Sequence, residues 1–124
     1  AMSKKSQTIR TGLDEISTIG ETQISEISNG TIRTYSFHYS SCSIANANLE
    51  DLMGSDAVVN AAIMEQIFSG MKSPFSDITA LNAGAALYVD GIASSIQDGV
   101  VIASEAIATG KAQKKLQELI DFTN

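Results

Sequence analysis

Asn29-Gly30, set between two alternating stretches, constrains this chain more than any other feature. Both central positions of a tight hairpin turn need positive φ, which asparagine and glycine tolerate. Residues 22–27 and 31–39 are therefore expected to close as an antiparallel hairpin. With Asn29-Gly30 as the two-residue loop, Ser28 faces Thr31, Ile27 faces Ile32, Glu26 faces Arg33 and Ile24 faces Tyr35. One face then gathers Ile24, Tyr35, Phe37 and Tyr39, with the Glu26–Arg33 pair near the tip. The other face holds Ser25, Thr34, Ser36 and His38, so His38 reads as an exposed titratable group rather than a catalytic base. A two-stranded ribbon is marginal in water and must lie on helices or join a larger sheet.

Downstream the period lengthens from two to about four. Residues 40–48 are small and polar, a loop, and Leu49-Glu50-Asp51-Leu52 reads as one helical turn broken by Gly54. Ser55 or Asp56 caps the next helix, which is expected to reach Ser69 and stop at Gly70. Val59, Ile63 and Ile67 recur at a spacing of four, widened by Met64 and Phe68, and are expected in the core. Residues 71–75 form a connector holding the only proline, Pro74, and Ser76 or Asp77 starts a helix over 78–89. Its Ala80, Ala83, Gly84, Ala85 and Ala86 put small side chains all round, which predicts burial in the middle of the domain. Asn82 there is a buried hydrogen-bonding group or a site residue. Ser94 with Gln97, or Ser95 with Asp98, fits a capping box opening a third helix that runs to Thr109. A fourth helix, 111–121, carries Ala112, Leu116, Leu119 and Ile120 on one face and Lys111, Lys114 and Lys115 on its solvated side.

At 124 residues the chain is one domain's worth. Fourteen acids against eight bases leave a formal charge of −6, which repels phosphate backbones and argues against nucleic-acid binding. No apolar run is long enough for a bilayer and no signal-peptide stretch opens the chain, so no membrane partner is expected. Cys42 is the only cysteine, which fits a reducing, cytoplasmic setting and leaves no zinc constellation with the single His38. Ala1 before Met2 reads as a cloning scar. Residues 1–11 are polar and basic, expected as a disordered or loosely paired tail. Lys4, Lys5 and Arg10 could instead neutralise an acidic partner surface.

The candidate chemistry sits in Gly12-Leu13-Asp14-Glu15-Ile16-Ser17. Leu13 and Ile16 can fold inward while Asp14 and Glu15 stay at the rim. Adjacent carboxylates suit Mg²⁺, which takes one or two of them plus waters and substrate phosphates. Taken alone, the same pair also reads as a solvated capping loop.

The company of that pair is specific. Asn48-Leu49-Glu50-Asp51-Leu52, Gly54-Ser55-Asp56-Ala57 with Asn60-Ala61-Ala62-Ile63, Leu81-Asn82-Ala83-Gly84-Ala85-Ala86-Leu87, and Gly110-Lys111-Ala112 follow in order. From Gly12 to the C-terminus the chain resembles the C-terminal third of the anthranilate phosphoribosyltransferases of tryptophan biosynthesis. The resemblance implies a fold: an antiparallel β-hairpin and four main helices, part of a larger α/β domain of the phosphoribosyltransferase and nucleoside-phosphorylase kind. It also implies a glycosyltransferase that moves phosphoribosyl from phosphoribosyl pyrophosphate to the anthranilate amine with Mg²⁺. The family's metal-binding Asp-Glu pair carries over onto Asp14 and Glu15.

The departures matter equally. The family's glycine-rich pyrophosphate segment, its basic segment near anthranilate and the strand before the acid pair have no counterpart in residues 1–11, which on this reading form a non-family tail. The nine glycines are scattered and no G-x-G run exists. The leading expectation is thus a fragment, residues 12–124, inactive alone and a partner either of itself, as a homo-oligomer through exposed strand edges, or of the missing N-terminal portion. The other readings are a non-catalytic scaffold that binds a partner, and an independent Mg²⁺ enzyme built on Asp14 and Glu15.

Overall fold

The structure, a computed structural model, describes residues 3–8 as backbone and residues 15–124 in full. Strands β1 (Ser3–Thr8), β2 (Thr22–Ser28) and β3 (Thr31–Phe37) form an antiparallel sheet in the order β1-β2-β3. Short 3-10 turns follow at Tyr39–Cys42 and Leu49–Leu52, then helices α1 (Ala57–Phe68), α2 (Pro74–Val89), α3 (Ile96–Ala108) and α4 (Lys111–Thr123).

The hairpin forms in the register that its turn demands. Asn29 and Gly30 sit at φ of 52° and 77°, and Ser28, Ile27, Glu26 and Ile24 pair with Thr31, Ile32, Arg33 and Tyr35. Of the disordered or loosely paired tail expected, residues 3–8 form a regular strand paired with the other edge of β2 from Ser3–Ile27 to Thr8–Thr22. What makes this strand is the row of backbone donors and acceptors that β2 offers, a feature no polar sequence advertises. Two lysines on an outer strand also suit an edge that should not recruit further strands.

The sheet's inner face, Ile24 and Phe37, packs with Tyr39, Ile16 and Ile44 against Ala80 and Leu81 of α2 and Ile96, Val100 and Ala103 of α3. Helices α2 and α3 cross so closely that a methyl group on Gly84 would fall 2.7 Å from the Gly99 carbonyl carbon. Small residues here permit backbone-to-backbone contact. The expectation that α2 is buried all round is corrected, since only Ser76, Ala80, Leu81 and Gly84 are buried while Ala83 and Ala86 are exposed.

Helix ends follow local chemistry. Asp56 Oδ1 accepts from the Val59 amide at α1, and Ser95 Oγ accepts from the Asp98 amide at α3. At α2 the cap is Ser73, one turn earlier than expected, with Pro74 in the first helical position. Proline is preset for that position because its fixed φ is helical and its missing N–H would be unpaired there anyway. The stripe on α1 is also corrected: Ile67 alone is buried, Ile63 and Phe68 are half-buried, and Val59 and Met64 are exposed. In α4, Ala112 and Leu116 are half-buried while Leu119 and Ile120 face solvent. Among the described residues no helix is long and apolar enough to cross a membrane.

Within the loop expected over 40–48, His38 Nδ1 accepts from the Ser40 amide and caps the first 3-10 turn. Its ring lies 4.1 Å from that of Tyr39. This exposed, capping histidine contributes local structure.

Candidate functional site

Glu15 opens a segment whose next three residues, Ile16, Ser17 and Thr18, are buried. An irregular segment can be buried only if its backbone groups find partners. Asn82 on α2 supplies two of them: its Oδ1 accepts from the Ile16 amide at 2.9 Å and its Nδ2 donates to the Ile16 carbonyl at 2.9 Å. The same Nδ2 donates to the Ile78 carbonyl, which fixes the amide on its own helix. Thr22 Oγ1 accepts from the Ser17 amide, Ser17 Oγ accepts from the Ile19 amide, and the Thr18 carbonyl accepts from the Ala47 amide. Asn46 Nδ2 donates both to the Ile19 carbonyl and to Tyr39 Oη.

The effect is a clamped strip with its acid at the surface. Of the two residues expected to bind metal, Glu15 is exposed at the start of the strip and Asp14 lies outside the described residues. Asn82 proves to be a positioning group, reaching across 66 positions to the residue after Glu15. Replacing Asn82 with alanine would leave the Ile16 amide and carbonyl without their partner, a loss of about 1–3 kcal/mol. Urea denaturation should show it, and amide exchange at Ile16 should quicken while Leu81 stays protected. An unchanged Ile16 exchange rate would refute the clamp.

The donor set bears on a metal. Among the described residues no three histidine, cysteine, aspartate or glutamate side chains converge. One exposed carboxylate, with a second next to it in sequence, fits a Mg²⁺ ion completed by water and phosphate oxygens and does not fit an all-protein cage. Glu15 would be the described ligand.

The surroundings of two polar groups go beyond the sequence reading. Glu26, expected to pair with Arg33 near the tip and doing so, is 5% exposed, and beyond that pair it ties the sheet to α2. Its Oε1 accepts from Tyr88 Oη at 2.7 Å, and its Oε2 accepts from Arg33 Nη2 at 3.1 Å and Tyr35 Oη at 3.3 Å. The signal was its place opposite Arg33 on the same face as Ile24. The second is Cys42, half-buried, where burial pushes the thiol up from its usual 9.0 against a small opposing pull from Ser41. That makes it a poor nucleophile near neutrality.

The chain belongs to the glycosyl transferase family, a/b domain, whose family model matches residues 2–113. The match starts well ahead of Gly12 and takes in β1. Among curated relatives, the anthranilate phosphoribosyltransferase of Acetivibrio thermocellus is 46% identical over 113 residues, covering 91% of this chain and 33% of that protein. That of Methanobrevibacter smithii is 41% identical, covering 91% and 34%. The chain thus spans about a third of the length of the curated relatives it matches. Among solved structures, anthranilate phosphoribosyltransferase from Thermus thermophilus superposes with a TM-score of 0.87 at 31% identity, covering 98% of this chain and 36% of that one. The Saccharomyces cerevisiae enzyme, solved with PRPP and Mg, shares the fold at 24% identity and a TM-score of 0.85, covering 95% and 34%.

Proposed function

We propose that this chain is the C-terminal third of an anthranilate phosphoribosyltransferase and supplies the acidic wall of its active site. The observation that carries the reading is the clamped strip: buried residues 16–18 hold Glu15 outward, in a chain 46% identical to the Acetivibrio thermocellus enzyme. In the reaction the bond from the ribose anomeric carbon to pyrophosphate breaks, the anthranilate nitrogen bonds to that carbon, and the amine loses a proton. Positive charge gathers on the ribose ring and negative charge on the departing oxygens. A Mg²⁺ ion held through Asp14 and Glu15 would supply charge neutralisation for the pyrophosphate. The residues of this chain do the holding. Asn82 and Thr22 fix the strip and with it the direction of Glu15.

Gripping phosphates needs clustered amides from a glycine-rich loop or a helix N-terminus beside the acids, and these belong to the upstream two thirds. The 124-residue chain alone should therefore give no phosphoribosylanthranilate and no saturable binding of phosphoribosyl pyrophosphate by calorimetry. Combined with the upstream portion of a relative, it should restore turnover that Glu15→Ala then lowers. Micromolar capture of the activated ribose by the lone chain would end this reading. Alone, the chain is also expected to self-associate through the outer edge of β3, and it belongs in the reducing cytoplasm that its single cysteine suits.

A further inference from the structure

Helix α2 is composed for burial on all sides yet is buried on only one. Over sixteen residues it has a single charge, Asp77, in its first turn. A helix without a polar face belongs in the interior of a larger assembly. Its uncovered side borders an apolar cleft of about 200 Å³ between α2, the inner face of β2 and the start of α3. Ile16, Ile24, Asn82, Ala86, Val89 and Ile96 line it. Ile24, Ile16 and Ile96 are core residues, so the cleft opens directly onto the hydrophobic centre. It also abuts the Asn82–Ile16 clamp, one residue from Glu15.

We infer that this cleft and the Ala83–Ala86 face beside it are the seat of the upstream polypeptide, which closes over them with an apolar element. The inference rests on the functional reading above and adds where the two parts meet. Three observations choose this occupant. The relatives carry about two thirds of their length outside the aligned region, so a large body of chain has to pack against this one. Alanine side chains let a neighbouring backbone come close, as Gly84 and Gly99 already do on the opposite side of the helix. And an element seated here lies next to Glu15, where phosphate-gripping residues have to be if the acid is to act with them.

The test is co-expression of this chain with a tagged upstream two thirds of the Acetivibrio thermocellus enzyme. Ala86→Glu and Ala83→Glu change exposed helix positions, so the chain's own urea midpoint should stay where it is. A carboxylate pressed into an apolar joint should nevertheless reduce co-purification by at least about tenfold. Lys114→Glu, on the exposed side of α4, should leave it unchanged. Equal recovery of the alanine variants, or no recovery of the native chain, overturns the inference. So does a dimer of the lone chain that Ala86→Glu dissolves, which would give the cleft to a second copy. Turnover is read separately: co-purification without phosphoribosyl transfer keeps the joint and defeats the functional reading, and turnover indifferent to Ala86→Glu does the reverse.

Discussion

Gly99→Ala should cost the fold about 2–3 kcal/mol, read as a lowered urea midpoint with an unchanged slope. In an isolated helix the same change would gain about 1 kcal/mol, because alanine loses less backbone entropy. The opposite sign is expected here because of what the new methyl meets. It would overlap the Gly84 carbonyl oxygen and lie 2.8 Å from the carbonyl carbon and 2.9 Å from Cα of the same residue. Those atoms are backbone in the middle of α2, and no rotamer change can move them. The helices would have to separate along their main joint, loosening Leu81, Ile96 and Val100 together. Gly20→Ala is the control, since nothing lies within 4 Å of its added carbon. A Gly99→Ala chain as stable as the native one would mean that α2 and α3 do not cross here.

Glu26→Ala is the second large effect, about 2–3 kcal/mol. The share of Arg33 is small, because its side chain is 65% exposed and keeps its water when the partner goes. Tyr88 loses more, because its hydroxyl gives up a 2.7 Å bond to a carboxylate that is itself 5% exposed. The sheet would then lose its carboxylate tie to α2. The substitution also changes the response to alkali. Burial first, then the charge and hydrogen bond of Glu26, hold the Tyr35 hydroxyl above its usual 10.0, with Arg33 pulling the other way. A raised folded-state value means stability is complete below the ordinary one and is lost as pH rises through the higher one. Cys42 acts in the same direction from 9.0. Native stability should therefore fall from about pH 9 upward, and in Glu26→Ala the Tyr35 part of that fall should be smaller and end closer to about pH 10. Urea titrations across this range check it; an alkaline limb unmoved by the substitution would remove Glu26 from the network.

What the sequence alone determined is what lies within four residues of itself. Asn29-Gly30 dictated the hairpin and its register, because positive φ at two successive positions leaves one tight turn and a period of two does the rest. Asp56, Ser95 and the glycines at 70 and 110 marked helix ends because a cap is a contact between near neighbours. The order of motifs from Gly12 onward placed the chain in its family. Tertiary structure decided the remainder. The pairing of β1 depends on the open edge of β2, and the burial of Glu26 depends on Tyr88, 62 positions away. The helix joint at Gly84 and Gly99 and the grip of Asn82 on Ile16 likewise join residues that share no local pattern. Such contacts are invisible along the chain because their energy comes from surfaces that exist only once the layers have met.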